Sequence, residues 1–168
     1  MLRRLLVNLL VFGLLALCFG CLFQSAPYQD VRSFDLGRAV KVDTPMVVRV
    51  GSFDVARLYG TRFIYRMGEH EVVADEYNRW IQLPQVLVEQ YLRLAFGGEG
   101  VSRSSDSTVE IAGDILVFEF DLVESQAHLL VDLVLSRDEE ISRFREEITV
   151  SFDQGGTTPE RLAAAMNQ

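Results

Sequence analysis

The sequence predicts an α+β fold: a twisted, mostly antiparallel sheet with two main helices packed on one face. Three observations carry that expectation. From Leu116 to Phe152, apolar and polar residues alternate in three segments, the period of half-buried strands. Between Pro84 and Gly97-Gly98, apolar residues recur at helical spacing. After Gly155-Gly156, the run TTPE has the make-up of a helix start.

The chain has 168 residues, 49% of them hydrophobic, which suits one domain with a real core. Its formal charge is −8. The first twenty residues hold Arg3 and Arg4 and no acid, so the remainder has 14 basic against 24 acidic residues, a balance of −10. An acidic body argues against non-specific nucleic-acid binding, which needs cationic surface. It also argues against adsorption to anionic headgroups by charge alone.

The elements follow in order. Arg3-Arg4, the apolar run Leu5 to Phe19 and small Gly20 have the plan of a secretory signal peptide over residues 1–20. A small residue directly before Cys21 resembles a bacterial lipobox, although Cys18 stands where leucine is usual. On this reading Cys21 carries a diacylglycerol and is the one cysteine of the mature chain, so no internal disulfide forms. By resemblance to Gram-negative lipoproteins, Leu22 after the cysteine favours the outer membrane. The other reading is an uncleaved inner-membrane anchor, since Leu5 to Phe23 reaches the ~20 residues that span a bilayer. Residues 21–32 read as an acylated N-terminus and polar tether, and residues 33–168 as a single domain.

Ser33 to Gly37 reads as a short strand. Met46 to Phe53 is β-rich, with Met46, Val48 and Val50 on one side and Val47, Arg49 and Phe53 on the other. Asp54 to Gly60 reads as a brief helical turn. Arg62 to Arg66 and Glu71 to Tyr77 are extended, joined by a reversal at Gly68. Pro84 opens a helix whose apolar face is Leu87, Tyr91, Leu94 and Ala95, with Glu89 and Arg93 paired on the other side. Gly97-Gly98 ends it. Gly98 to Ser107 is a loop. Leu116, Phe118, Phe120 and Leu122 then alternate with Glu119 and Asp121; Leu129 to Leu135 and Phe144 to Phe152 alternate likewise. The acids of these strands are expected on a wet face, and the short links at Glu124 to Gln126 and Arg137 to Glu140 imply antiparallel neighbours. Thr157 with Glu160 fits a capping box ahead of Leu162 and Met166. The sequence stops at Gln168, mid-helix on this reading.

The segment Phe63-Ile64-Tyr65-Arg66, then Tyr77, Arg79-Trp80 and Pro84, resembles the signature of the PqiC/YmbA-like family of ABC-transport auxiliary lipoproteins. The resemblance spans roughly Phe34 to Val150 and is weak after Gly97. It implies an outer-membrane lipoprotein without enzymatic activity or cofactor, apart from the covalent lipid on Cys21. It also implies a partnership with MCE-domain (mammalian cell entry) proteins and an ABC transporter or related membrane component. Such systems move phospholipid or similar molecules between membranes, and a ring of copies of the auxiliary protein is one arrangement.

Chemistry elsewhere is sparse. Glu69-His70-Glu71 sits in a turn where side chains splay, so no metal site is expected. No G-x-S-x-G elbow and no GK[ST] phosphate loop occurs. Trp80 has two readings: a core indole, with Arg66 and Arg79 paired to acids, or part of a partner or subunit surface with Tyr65, Arg66, Tyr77 and Arg79. A second class of function, an envelope assembly factor or activator of a cell-wall synthase, is compatible with a small α+β lipoprotein.

Overall fold

The computed structural model describes residues 28–97, 108–152 and 158–167. The chain divides into two units, Met1–Asp30 and Val31–Gln168. Of the first, Tyr28 to Asp30 are exposed and without regular structure. The signal peptide, Cys21 and most of the tether lie outside the described residues, as does the loop from Gly98 to Ser107.

The second unit holds the strands β1 (Arg32–Phe34), β2 (Val47–Val55), β3 (Arg62–Arg66) and β4 (Val72–Trp80), then helix α1 (Pro84–Ala95). Strands β5 (Thr108–Asp121), β6 (Gln126–Arg137) and β7 (Glu140–Ser151) follow, then helix α2 (Pro159–Met166). All seven strands form one sheet in the order β1-β4-β3-β5-β6-β7, with β2 alongside β5. Strand β5 is long enough to pair with β2 through Thr108–Ile115 and with β3 through Phe120–Asp121.

The sheet is mixed, which corrects the mostly antiparallel expectation. The neighbours β3–β4, β5–β6 and β6–β7 are antiparallel, as their short links require. Strands β1, β2 and β3 pair with β4, β5 and β5 in parallel. Each of those pairs is joined by a long stretch of chain, which allows parallel pairing.

Bulges reset the period-two pattern. A register shift between Val50 and Phe53 lets both reach the core, although simple alternation put them on opposite sides. A second shift between Ile115 and Val117 brings Ile115, 0% exposed, into line with Phe118 and Phe120, while Leu116 is only half-buried. Strand β7 ends the sheet, and its Phe144 and Ile148 stay 46% exposed. Between Ala56 and Gly60 the chain makes a turn, closed by Tyr59 N donating to Ala56 O at 2.9 Å, and no helix forms.

The centre of the core is aromatic. The Phe63 ring lies 4.6 Å from Trp80, 5.1 Å from Phe120 and 5.2 Å from Phe34, and Trp80 is 5.1 Å from Phe118. Each such side chain contributes about 1.5–3 kcal/mol on burial, and tilted ring pairs add to it.

Helix α1 starts with Pro84 at its first position after extended Leu83. It ends where Gly97 adopts a positive φ of 83°. Its buried side runs through Leu87, Val88, Tyr91, Leu92 and Ala95, while Leu94 is exposed. Glu89 pairs with Arg93 at 3.1 Å, and it also turns inward: its Oε1 accepts from Phe53 N at 2.9 Å. That N–H lies at the β2 bulge, where the ladder is interrupted. The C-terminal helix begins one residue later than the capping-box pattern implied: its N-cap is Thr158, with no side-chain cap bond. Thr157 lies outside the described residues.

Candidate functional site

Successive residues of a strand point to opposite faces, so β3 sends Tyr65 and Arg66 to different environments. Arg66 Nε donates to Glu119 Oε1 at 2.5 Å, and Tyr59 O–H donates to Glu119 Oε2 at 2.8 Å. Glu119 is 1% exposed. It lies between Phe118 and Phe120 on a strand flanked by β3 and β6, and Tyr59 lies over it from the β2–β3 turn. This corrects the expectation that the acids of this strand face water. Burial pushes the Tyr59 phenol well above its ordinary range, and the Glu119 hydrogen bond and charge add to that. The same carboxylate raises Arg66 through its hydrogen bond.

A second polar node centres on Asp75, where the β3–β4 register slips. Its Oδ1 accepts from the backbone N–H of Tyr77 at 2.7 Å and of Asn78 at 3.0 Å. Its Oδ2 accepts from Tyr65 O–H at 2.7 Å and Asn78 Nδ2 at 2.8 Å. Burial works against the charged carboxylate, but these four donors outweigh it and hold the Asp75 carboxyl below the usual range. Tyr65 is pushed upward by burial and by Asp75.

The five residues of the sequence-derived surface do not converge. Trp80 is 2% exposed and belongs to the aromatic core. Tyr65 and Tyr77 meet through Asp75, and Arg66 meets Glu119. Arg79 is half-buried, its Nε without a hydrogen-bond partner, and among the described residues it forms no ion pair. Tyr77, at 37% exposed, presents the most surface of the aromatic residues in the set. The residues that reading missed are Tyr59, Asp75 and Glu119. Acids flanking an arginine-bearing strand were visible, but which acid meets which strand is set by the parallel β3–β5 pairing.

Glu69 and His70 occupy an exposed turn, with His70 Nε2 3.8 Å from Glu69 Oε1. His128 Nε2 lies 3.0 Å from Glu147 Oε1 without a hydrogen-bonding angle. Among the described residues there is no cluster of three or more histidine, cysteine or acidic side chains able to hold a metal. No helix among them is long and apolar enough to cross a membrane.

Both helices line one cavity of about 200 Å³ over the β6–β7 pair, and its walls are almost wholly apolar. Its lining includes Val88 and Leu92 from α1, Ala165 and Met166 from α2, and Ala127 and Leu129 from β6. A more polar groove adjoins it, and Leu36 and Asn167 line both.

No family model matches the chain, and no curated protein matches it. Solved structures do. A crystal structure described only as an uncharacterized protein superposes with a TM-score of 0.67 at 10% identity, over 83% of this chain and 90% of that one. Protein XCC0632 from Xanthomonas campestris, assigned to the family DUF330, superposes with a TM-score of 0.60 at 19% identity, over 81% of this chain and 86% of that one. At such identities the shared property is the fold.

Proposed function

We propose that the chain is a non-enzymatic lipoprotein, anchored in the outer membrane through Cys21, that serves an intermembrane lipid transport system of the MCE/ABC type. One observation carries this reading. Most residues of the family-like signature, though not Tyr77 and Arg79, lie in the framework of a fold shared with a DUF330 protein, DUF330 being the PqiC/YmbA-like family. Arg66 holds the buried carboxylate, Trp80 sits in the aromatic core, and Pro84 starts α1. A signature made of core and cap positions fits a scaffold that presents a surface better than it fits a catalytic pocket. On this reading the acidic domain stands off the membrane on its tether and docks a periplasmic conduit, alone or as a ring of copies.

Affinity capture of the lipidated protein from envelope extracts tests the assignment. Recovery of an MCE-domain protein or an ABC component is expected. Repeated recovery of cell-wall synthases in their place would sink the transport reading and favour an assembly factor.

A further inference from the structure

Two alanines leave a gap where α1, α2 and the β6–β7 pair meet. Ala127 and Ala165 are 2% and 4% exposed, and the cavity of about 200 Å³ lies against them. Protein interiors pack at crystal density and hold few voids larger than a water molecule. An apolar cavity of roughly 150 Å³ accepts a hydrocarbon guest; this one is larger and opens to solvent beside half-exposed Ile148. Water suits it poorly, because an ordered water needs several polar partners. The lining has one buried polar atom lacking a hydrogen-bond partner, Asn167 Oδ1, which can only accept. Asn167 also borders the adjoining groove, whose polar lining includes Ser33, Asp35 and Glu160, the last ion-paired with Arg32. An apolar cavity thus adjoins an open, acceptor-bearing groove across Leu36 and Asn167.

We propose that this cavity and groove bind an amphiphile: a straight aliphatic chain against Ala127 and Ala165, with a hydrogen-bond-donating, non-anionic head group at Asn167, beside Asp35. The site deepens the lipid-transport reading and rests on it for the origin of the chain. Binding itself is measured without any transport partner, so the two readings fail separately.

The Val31–Gln168 unit contains the whole core, and similar chains crystallised with little beyond this fold, so it suits a solution test. Displacement of N-phenylnaphthylamine is followed with alkanols and alkylamines from hexyl to dodecyl, and with the matching fatty acids. Affinity is expected to rise about fourfold per methylene, then level off when the cavity is full. Fatty acids of equal length should bind at least threefold more weakly at neutral pH, because Asn167 Oδ1 offers a carboxylate no donor and Asp35 repels it. Lysophosphatidylethanolamine that competes as well as the alkylamine identifies a membrane lipid as the source; competition by the alkylamine alone identifies a simpler amphiphile, and both support the site. Val88→Trp should reduce binding at least tenfold, and Met166→Ala should move the plateau to a longer chain. A profile independent of chain length, or one unchanged in both variants, overturns the site. Equal binding of fatty acid and alkylamine overturns the placement of the head.

Discussion

Arg66 and Glu119 are 53 residues apart in sequence and 2.5 Å apart in space. The contact exists because β3 and β5 run parallel, with Arg66 in register with Asp121 on the same edge of β5. The Arg66 side chain keeps 30% of its surface in water, whereas that of Glu119 keeps 1%. The two partners are therefore unequal: the arginine can rehydrate when released, and the glutamate cannot.

That asymmetry predicts different costs for removing each partner. Arg66→Ala leaves a buried carboxylate with Tyr59 as its remaining partner, and should cost about 3 kcal/mol. Glu119→Gln keeps an acceptor for Tyr59 and frees Arg66 to water, and should cost about 1–2 kcal/mol. Urea unfolding midpoints at neutral pH measure both. Losses below ~0.5 kcal/mol for each would place the pair among surface ion pairs.

Two phenols hydrogen-bonded to carboxylates, Tyr59 buried and Tyr65 half-buried, predict an alkaline limit to stability. Tyr59 and Tyr65 are both raised above the ordinary value of 10.0, first by burial and then by Glu119 and Asp75 respectively. Above that value the unfolded chain loses the phenolic proton while the folded chain retains it. The protection is complete below pH 10 and is lost as pH rises toward the folded-state values. Each tyrosine contributes a slope of about −1.4 kcal/mol per pH unit in that window. Tyr59→Phe and Tyr65→Phe should each flatten the alkaline limb of a stability-against-pH curve. Wild-type and double-variant curves that stay parallel above pH 10 would show that the phenols ionise freely.

Strong local signals in the sequence were realised closely. Pro84 and Gly97 bracket α1, and the hairpins β5–β6 and β6–β7 follow from short links between alternating segments. What escaped was everything decided by non-local pairing. Counting by twos cannot foresee a bulge, so Phe53 and Ile115 moved to the core side against the pattern. Glu119 looks like a solvated acid until β3, β6 and Tyr59 close around it. The first half of β5, Thr108–Ile115, carries little alternation of its own and is held by β2 on one side and β6 on the other. Leu94 sits at the margin of the helical stripe, where Val88 and Leu92 take its place. The cavity depends on two alanines meeting from different elements, which no local pattern encodes.

Glycines in this fold divide by what a methyl group would strike. At Gly113 an added Cβ would lie 2.4 Å from the Asp132 carbonyl oxygen and 3.2 Å from Phe53 Cε1. At Gly68 it would meet nothing within 4 Å, and φ there is not positive, so the reversal next to it does not need glycine. It is held by Met67 N donating to Glu71 O at 3.0 Å. Gly113→Ala should therefore push β5 from β6 and cost about 1–3 kcal/mol or more. Gly68→Ala should be neutral or gain a few tenths through a stiffer unfolded chain, about 0.4–1 kcal/mol at most. Thermal melts of the two variants give the ordering, and the reverse order would contradict the close β5–β6 approach.

The anchor prediction separates two ways of holding the domain at a membrane. A diacylglycerol on Cys21 would contribute about 0.8 kcal/mol for each methylene it buries, and would require the thiol. An uncleaved Leu5 to Phe23 helix would hold the chain without the thiol. Cells expressing the wild-type chain or Cys21→Ser are labelled with radioactive palmitate, and their envelope and soluble fractions are compared. Wild-type protein should carry label and sediment with the outer membrane. The serine variant should lose the label and, because signal processing is coupled to lipid attachment, persist as the longer precursor. Equal membrane attachment of unlabelled, full-length chains in both strains would assign the protein to the inner membrane through its leading segment, and the docking geometry proposed above would go with it.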